Sequence, residues 1–151
     1  MKVLILTGLP GSGKTTFAKE LLGREWGYHY SADQFFTDRD GAYNFDPCRL
    51  PEAHGECLRG FCERVRLKAF GLEPIIIVDN TFTTVTEMAP YRDVAVAYGW
   101  DVEIHDFICS VDESVLRNRH NVPRKSIEGM AKRLNERHIP PWWNGTIIRH
   151  T

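Results

Sequence analysis

Met1-Lys2-Val3-Leu4-Ile5-Leu6-Thr7-Gly8-Leu9-Pro10-Gly11-Ser12-Gly13-Lys14-Thr15-Thr16 opens the chain, and its reading decides the fold. The first seven residues form a nearly continuous apolar run, which suits a parallel strand buried on both faces. Gly8 to Thr15 then matches G-x-x-x-x-G-K-[ST] at every fixed position. Phe17, Ala18, Leu21 and Leu22 follow at helical spacing, with Gly23 as a stop. The pattern therefore stands between a strand and a helix, the context in which it forms a phosphate cradle. Glycines let the backbone curl so that successive N–H groups face an anion, and the helix adds its positive N-terminal end. Gly8, Leu9, Pro10, Gly11, Ser12, Gly13, Lys14, Thr15 and Thr16 are the expected nucleotide contacts. Lys14 would reach the β- and γ-phosphates of ATP, and the Thr15 hydroxyl would ligate Mg²⁺.

Working outward, Trp26 to Ser31 reads as a second strand and Asp33 to Pro51 mostly as loop. Cys57, Leu58, Phe61, Cys62 and Val65 share one face of a helix over 52–70 that Gly71 ends. Glu73 to Asp79 contains IIIVD, another buried strand. Thr84 and Glu87 make a capping-box pattern for a helix reaching about Tyr98. Asp101 to Cys109 reads as a strand, and Ser110 with Glu113 repeats the capping pattern. Residues 125–137 read as a helix, His138 to Gly145 as a loop and Thr146 to Arg149 as a last short strand. Alternation of this kind predicts an α/β, three-layer sandwich around a mostly parallel sheet of about five strands. One domain spanning 1–151 is expected, since no linker or repeat interrupts the chain.

Two acids fall at strand ends. Asp79 closes IIIVD where a carboxylate would orient Mg²⁺ or its waters, or would simply cap the next turn. Asp33 follows the second strand in Ser31-Ala32-Asp33-Gln34-Phe35-Phe36. A carboxylate there is placed to take the proton of an attacking hydroxyl, and an N-cap or turn acid is the alternative.

Several blocks resemble the small P-loop kinases of the polynucleotide-kinase type, the AAA-type ATP-binding kinase domains of the zeta-toxin and polynucleotide-kinase group. They are GLPGSGKTT, SADQFF, DGAYNFDP, Glu52-Ala53-His54, VDNTFTTVTEMAPY and LRNRHNVP, and they run nearly end to end. The resemblance implies transfer of the ATP γ-phosphate to a hydroxyl, with a nucleic-acid 5′ end as the favoured acceptor. It makes Asp33 the general base and places Asn80 and Thr81 in the phosphate and acceptor pocket. It makes residues 117–124 a basic lid whose Arg117, and Arg119 or Arg124, reach ATP phosphates. An arginine there would neutralise charge developing in the transition state. The pattern departs at Phe36, where phage polynucleotide kinases carry an arginine that helps hold the acceptor. Arg39 from the next loop is one substitute, and stacking by Phe35, Phe36 and Tyr43 is another. His54 is either an acceptor-site donor or a polar residue at a helix start. A small hydroxyl-bearing substrate (a nucleoside, sugar or antibiotic) is the alternative acceptor, and an ATP-binding switch module is a third reading.

The formal net charge of −1 gives no global field for nucleic acid, so local cations would have to do that work. Lys132, Arg133 and Arg137 read as a solvated helix face, and Trp142 and Trp143 as packing of the C-terminal turn. Cys48, Cys57, Cys62 and Cys109 show no metal or disulfide spacing. They read as reduced thiols in a cytoplasmic compartment, with Cys57, Cys62 and Cys109 on buried faces. No membrane segment is expected, and no protein partner is inferable.

Overall fold

The computed structural model describes residues 1–67, 74–143 and 146–151. Five strands, β1 (Lys2–Gly8), β2 (Gly27–Tyr30), β3 (Ile75–Asp79), β4 (Asp101–Phe107) and β5 (Thr146–His150), form one sheet. Their order is β2-β3-β1-β4-β5 and every pairing is parallel. Helices α1 (Lys14–Leu22), α2 (Leu50–Arg66), α3 (Val85–Ala97), α4 (Val111–Arg117) and α5 (Arg124–Glu136) connect them. The expected α/β architecture is therefore the observed one, strand for strand. Gly71 and the start of the Glu73 strand lie outside the described residues.

β1 is the central strand because its side chains bury on both faces. Val3 and Ile5 join Cys57, Phe61 and Val65 of α2 and Met88, Tyr91 and Ala95 of α3 in the larger core. Leu4 and Leu6 point the other way, onto Ala18 with Phe17, Leu21 and Leu22 of α1. Alternation with period two thus divides one apolar run between two helical layers. Parallel strands bring all their carboxyl ends to one edge. Leu6 pairs with Asp79 on one side and His105 on the other, and Gly8 pairs with Phe107.

The segment expected to be loop between β2 and α2 carries short 3-10 helices at Ala32–Phe36 and Pro47–Arg49. Ser31 and Gln34 form a reciprocal capping box around the first. Phe36 is 5% exposed and packs with Ala32 and Ala53. Aromatic density in SADQFF therefore reflects a small core of its own, which plain loop composition concealed.

Three surface expectations need correction. Arg137 is buried, donating to Thr7 Oγ1 and Phe82 O at 2.6 Å each and to Asp106 Oδ1 at 2.5 Å. Arg133 donates to Thr83 Oγ1 at 3.0 Å but stays exposed, so it keeps the solvated-face role with Lys132. Arg137 turns inward because β4 presents an acid, Asp106, that needs a partner. Trp142 is 73% exposed, whereas Trp143 packs on the main core. Of the cysteines only Cys57 is buried; Cys62 and Cys109 are half-buried and Cys48 is exposed. No helix among the described residues is long and apolar enough to cross a membrane.

Candidate active site

The cradle follows from β1 ending at Gly8. Its φ of 143° and the 2.4 Å approach of a notional Cβ to Phe107 O leave room for no other residue. Gly13, at φ 102°, is the N-cap of α1 and supplies no side-chain cap. The first N–H groups of α1 thus have no side chain or helical carbonyl to bond, which is what an anion requires. Lys14 is 7% exposed, and its Nζ donates to Gly8 O at 3.0 Å and Leu9 O at 2.8 Å. The ammonium is therefore held by the carbonyls of the cradle itself. Burial pushes Lys14 below the usual lysine range, against the opposing charges of Asp79, Cys109 and Asp33.

Thr15 Oγ1 donates to Asp79 Oδ2 at 2.6 Å, joining the start of α1 to the end of β3. Asp79 is 4% exposed. Burial pushes its carboxyl up, but the neighbouring His29 imidazole, the charge of Lys14 and the Thr15 hydroxyl outweigh that and hold it below the ordinary value. His29 Nε2, on β2, lies 3.3 Å from Asp79 Oδ2. A hydroxyl and an ionised carboxylate side by side are hard oxygen donors of the kind Mg²⁺ takes. His29 had no motif to signal it; adjacency of β2 to β3 places it there.

Asp33 sits in the 3-10 helix just after β2, one strand from Asp79. Its Oδ1 accepts from Tyr43 at 3.0 Å, and His120 Nε2 lies 3.5 Å from its Oδ2. Half of its side chain surface is exposed, at 52%. Asn80 is buried, with Oδ1 accepting from Ala32 N at 2.9 Å and Nδ2 directed to Cys57 Sγ at 3.6 Å. Its side chain thus fixes the turn that carries Asp33. Thr81 takes part through its backbone carbonyl, which accepts from Gly8 N and Thr7 Oγ1. Phe36 lies beneath this surface, so its burial removes it from stacking on an acceptor; Arg39 and His54 are exposed.

Helix α4 and the start of the segment expected to form a lid rest on the cradle. Ser114 Oγ donates to Pro10 O at 2.6 Å, and a Cβ on Gly11 would come within 2.9 Å of the Arg117 backbone. Arg117 is 60% exposed and pairs with Glu113 at 3.4 Å, one helical turn back. Arg119 is exposed. Arg124 instead pairs with Asp112 at 2.5 Å and with Glu128, which ties it to α4 and α5.

Residues 3–139 match the family described as AAA domain. The chain belongs to that AAA domain family. Human NEDD4-binding protein 2 is 32% identical over 135 residues, covering 86% of this chain and 7% of the relative, so the chain spans a small part of that protein. A chain of the Pnkp1/Rnl/Hen1 RNA repair complex superposes with a TM-score of 0.68 at 22% identity, covering 89% of this chain and 44% of the other. Shikimate kinase from Acinetobacter baumannii, in complex with shikimate, superposes at 0.56 with 15% identity, covering 99% and 83%. This AAA domain thus shares its fold with a chain of an RNA repair complex and with shikimate kinase.

Proposed function

We propose that this AAA domain transfers the γ-phosphoryl group of ATP to a hydroxyl, with the 5′-hydroxyl of a polynucleotide as the favoured acceptor. The observation that carries the reading is the meeting of Asp33, Lys14 and the Thr15–Asp79 pair at one sheet edge. Asp33 is near enough for its charge to act on Lys14, while being exposed enough to meet an acceptor. A cradle alone would suit any nucleotide-binding module; a second, accessible carboxylate beside it is what acceptor chemistry needs.

The residues divide the work. The uncapped start of α1, with Gly8 to Thr16, binds the phosphates, and Lys14 neutralises charge on the one that moves. Thr15 and Asp79 would hold Mg²⁺, which when bound supplies electrostatic neutralisation of phosphate oxygens. Asp33 accepts the proton of the acceptor hydroxyl as that oxygen attacks. Arg117, on the segment seated against Gly11, needs only to leave Glu113 to reach the transferring group. Arg119 is the further lid cation available, whereas Arg124 serves to anchor α5 to α4. Asn80 and Thr81 shape the floor, and Arg39 and His54 are the exposed groups left to contact an acceptor. We place the reaction in the cytoplasm, where the free thiols stay reduced.

A small-molecule acceptor is the second reading. It is favoured by the burial of Phe36, where an acceptor-holding arginine was wanted, and by the net charge of −1. Transfer kinetics with 5′-hydroxyl RNA and DNA oligonucleotides, free nucleosides and sugar acids decide between them. The polynucleotide reading expects kcat/KM for an oligonucleotide to exceed that of its free nucleoside by at least about 100-fold, the scale of a few added charge-assisted contacts. A nucleoside or sugar turned over as well as the oligonucleotide would replace it with the second reading.

A further inference from the structure

Asp33 is flanked by two aromatic residues from different parts of the chain. Tyr43 donates to Oδ1 at 3.0 Å, and His120 Nε2 stands 3.5 Å from Oδ2. The two rings also pack together, with centroids 4.1 Å apart at 40°. Neither residue is placed by accident of a mobile surface. Tyr43 ends a built turn: Asp38 Oδ1 accepts from Asp40 N and Ala42 N, Gly41 takes φ 83°, and Tyr43 bridges to Thr37. Its ring meets Phe36 edge-on at 6.2 Å. Burial pushes its phenol above the usual tyrosine range, and the Asp33 charge and hydrogen bond add to that, so it remains a donor.

His120 is presented by the lid in the same way. Asn118 Oδ1 accepts from His120 N at 3.0 Å, Asn118 Nδ2 donates to Val122 O at 2.9 Å, and Asn121 takes φ 53°. The lid thus touches the cradle at Gly11 through Arg117 and touches Asp33 through His120, three residues later. An acceptor hydroxyl donating to Oδ2 would have to come within about 2.7 Å of it. The imidazole Nε2 stands beside that same oxygen, at 3.5 Å.

We propose that His120 is a latch holding the lid on Asp33, that an acceptor enters by displacing it, and that Tyr43 is a positioning residue fixing the other carboxylate oxygen. This rests on the kinase reading for its kinetic consequence, though not for the latch itself. Displacement would release the lid at the moment an acceptor arrives and free Arg117 to move from Glu113. Acceptor entry and lid rearrangement are then one event.

Two measurements test it. Hydrogen–deuterium exchange of peptides covering 117–123, on the ligand-free chain, reads the latch without any substrate. His120→Ala and Asp33→Asn should each speed exchange there by about 5-fold or more, a change within the range of local opening free energies. The double variant should be no faster than the quicker single one, because both remove the same contact. Transfer kinetics with a 5′-hydroxyl oligonucleotide read the consequence. His120→Ala should lower acceptor KM severalfold without loss of kcat. Tyr43→Phe should lower kcat about tenfold with ATP affinity unchanged, the effect of losing one hydrogen bond to a charged group. Exchange equal to wild type in both single variants overturns the latch. A His120→Ala enzyme with reduced kcat and unaltered KM overturns the displacement step. Transfer that survives Asp33→Asn instead removes the kinase reading beneath, while the exchange result still decides the latch.

Discussion

At the residue scale, Lys14 shows how one side chain can be costly to folding and necessary to binding. Its ammonium is buried and pushed below the ordinary lysine range, with Gly8 O and Leu9 O as its hydrogen-bond partners. Burial of this kind disfavours the charged form, and a phosphate beside it would restore the balance. Lys14→Met, which keeps the length and removes the charge, should weaken binding of a non-hydrolysable ATP analogue by about 10- to 100-fold. That is the loss of one or two charge-assisted hydrogen bonds. The same variant should melt within a few degrees of wild type. Calorimetric titration and a thermal melt check the two halves. What sequence could not supply at this scale are the contacts of His29, Tyr43 and His120. Each reaches an acid from a separate segment, at contacts of 3.3, 3.0 and 3.5 Å, and no motif spacing encodes a pairing made only by folding.

At the scale of elements, legibility followed locality. The Thr84–Glu87 and Ser110–Glu113 capping boxes were readable because every group lies within four residues, and both form with reciprocal hydrogen bonds. Thr84→Ala should cost about 1 kcal/mol and lower the melting temperature by about 2–4 °C. By contrast, inward Arg137 looked like a charged surface, since its partners Phe82, Asp106 and Thr7 come from β1, β4 and the turn after β3. The outer edge of the sheet carries a pH dependence. His105 on β4 contacts His150 on β5 at 2.9 Å and Glu103 at 3.4 Å, with Phe17 against the ring. Burial holds its imidazole below 6.5, and the nearby His150 adds to that against the pull of Glu103. A depressed folded value means the unfolded chain takes up the proton first. The stability it contributes is full above 6.5 and is lost as pH falls through the folded value. The melting temperature should therefore drop between about pH 7.5 and pH 5.5, and His105→Gln should flatten that slope. A melt series across that range, in both proteins, measures it.

At the scale of the whole molecule, the parallel sheet was legible because alternating apolar strands and amphipathic helices admit few other arrangements. The strand order then carries the functional consequence. With β3 beside β1 and β2 beside β3, Asp79 is set against Thr15, and Asp33 comes into range of Lys14. The α4–α5 connection folds back over the same edge and brings Arg117 to the cradle, although the two lie more than a hundred residues apart in the chain. What the sequence reading placed in the pocket but the fold withdrew, Phe36, went to a local core that only the packed turn reveals. The central claim is that Asp33 activates an acceptor for attack on ATP bound at Lys14. Transfer of label from γ-labelled ATP to a 5′-hydroxyl oligonucleotide with Mg²⁺, by wild type and by Asp33→Asn, tests it most directly when ATP affinity is titrated alongside. The expected result is labelled oligonucleotide from wild type and at least about 100-fold less from Asp33→Asn, the share of a general base, with ATP affinity intact. Equal labelling by both proteins would contradict the claim.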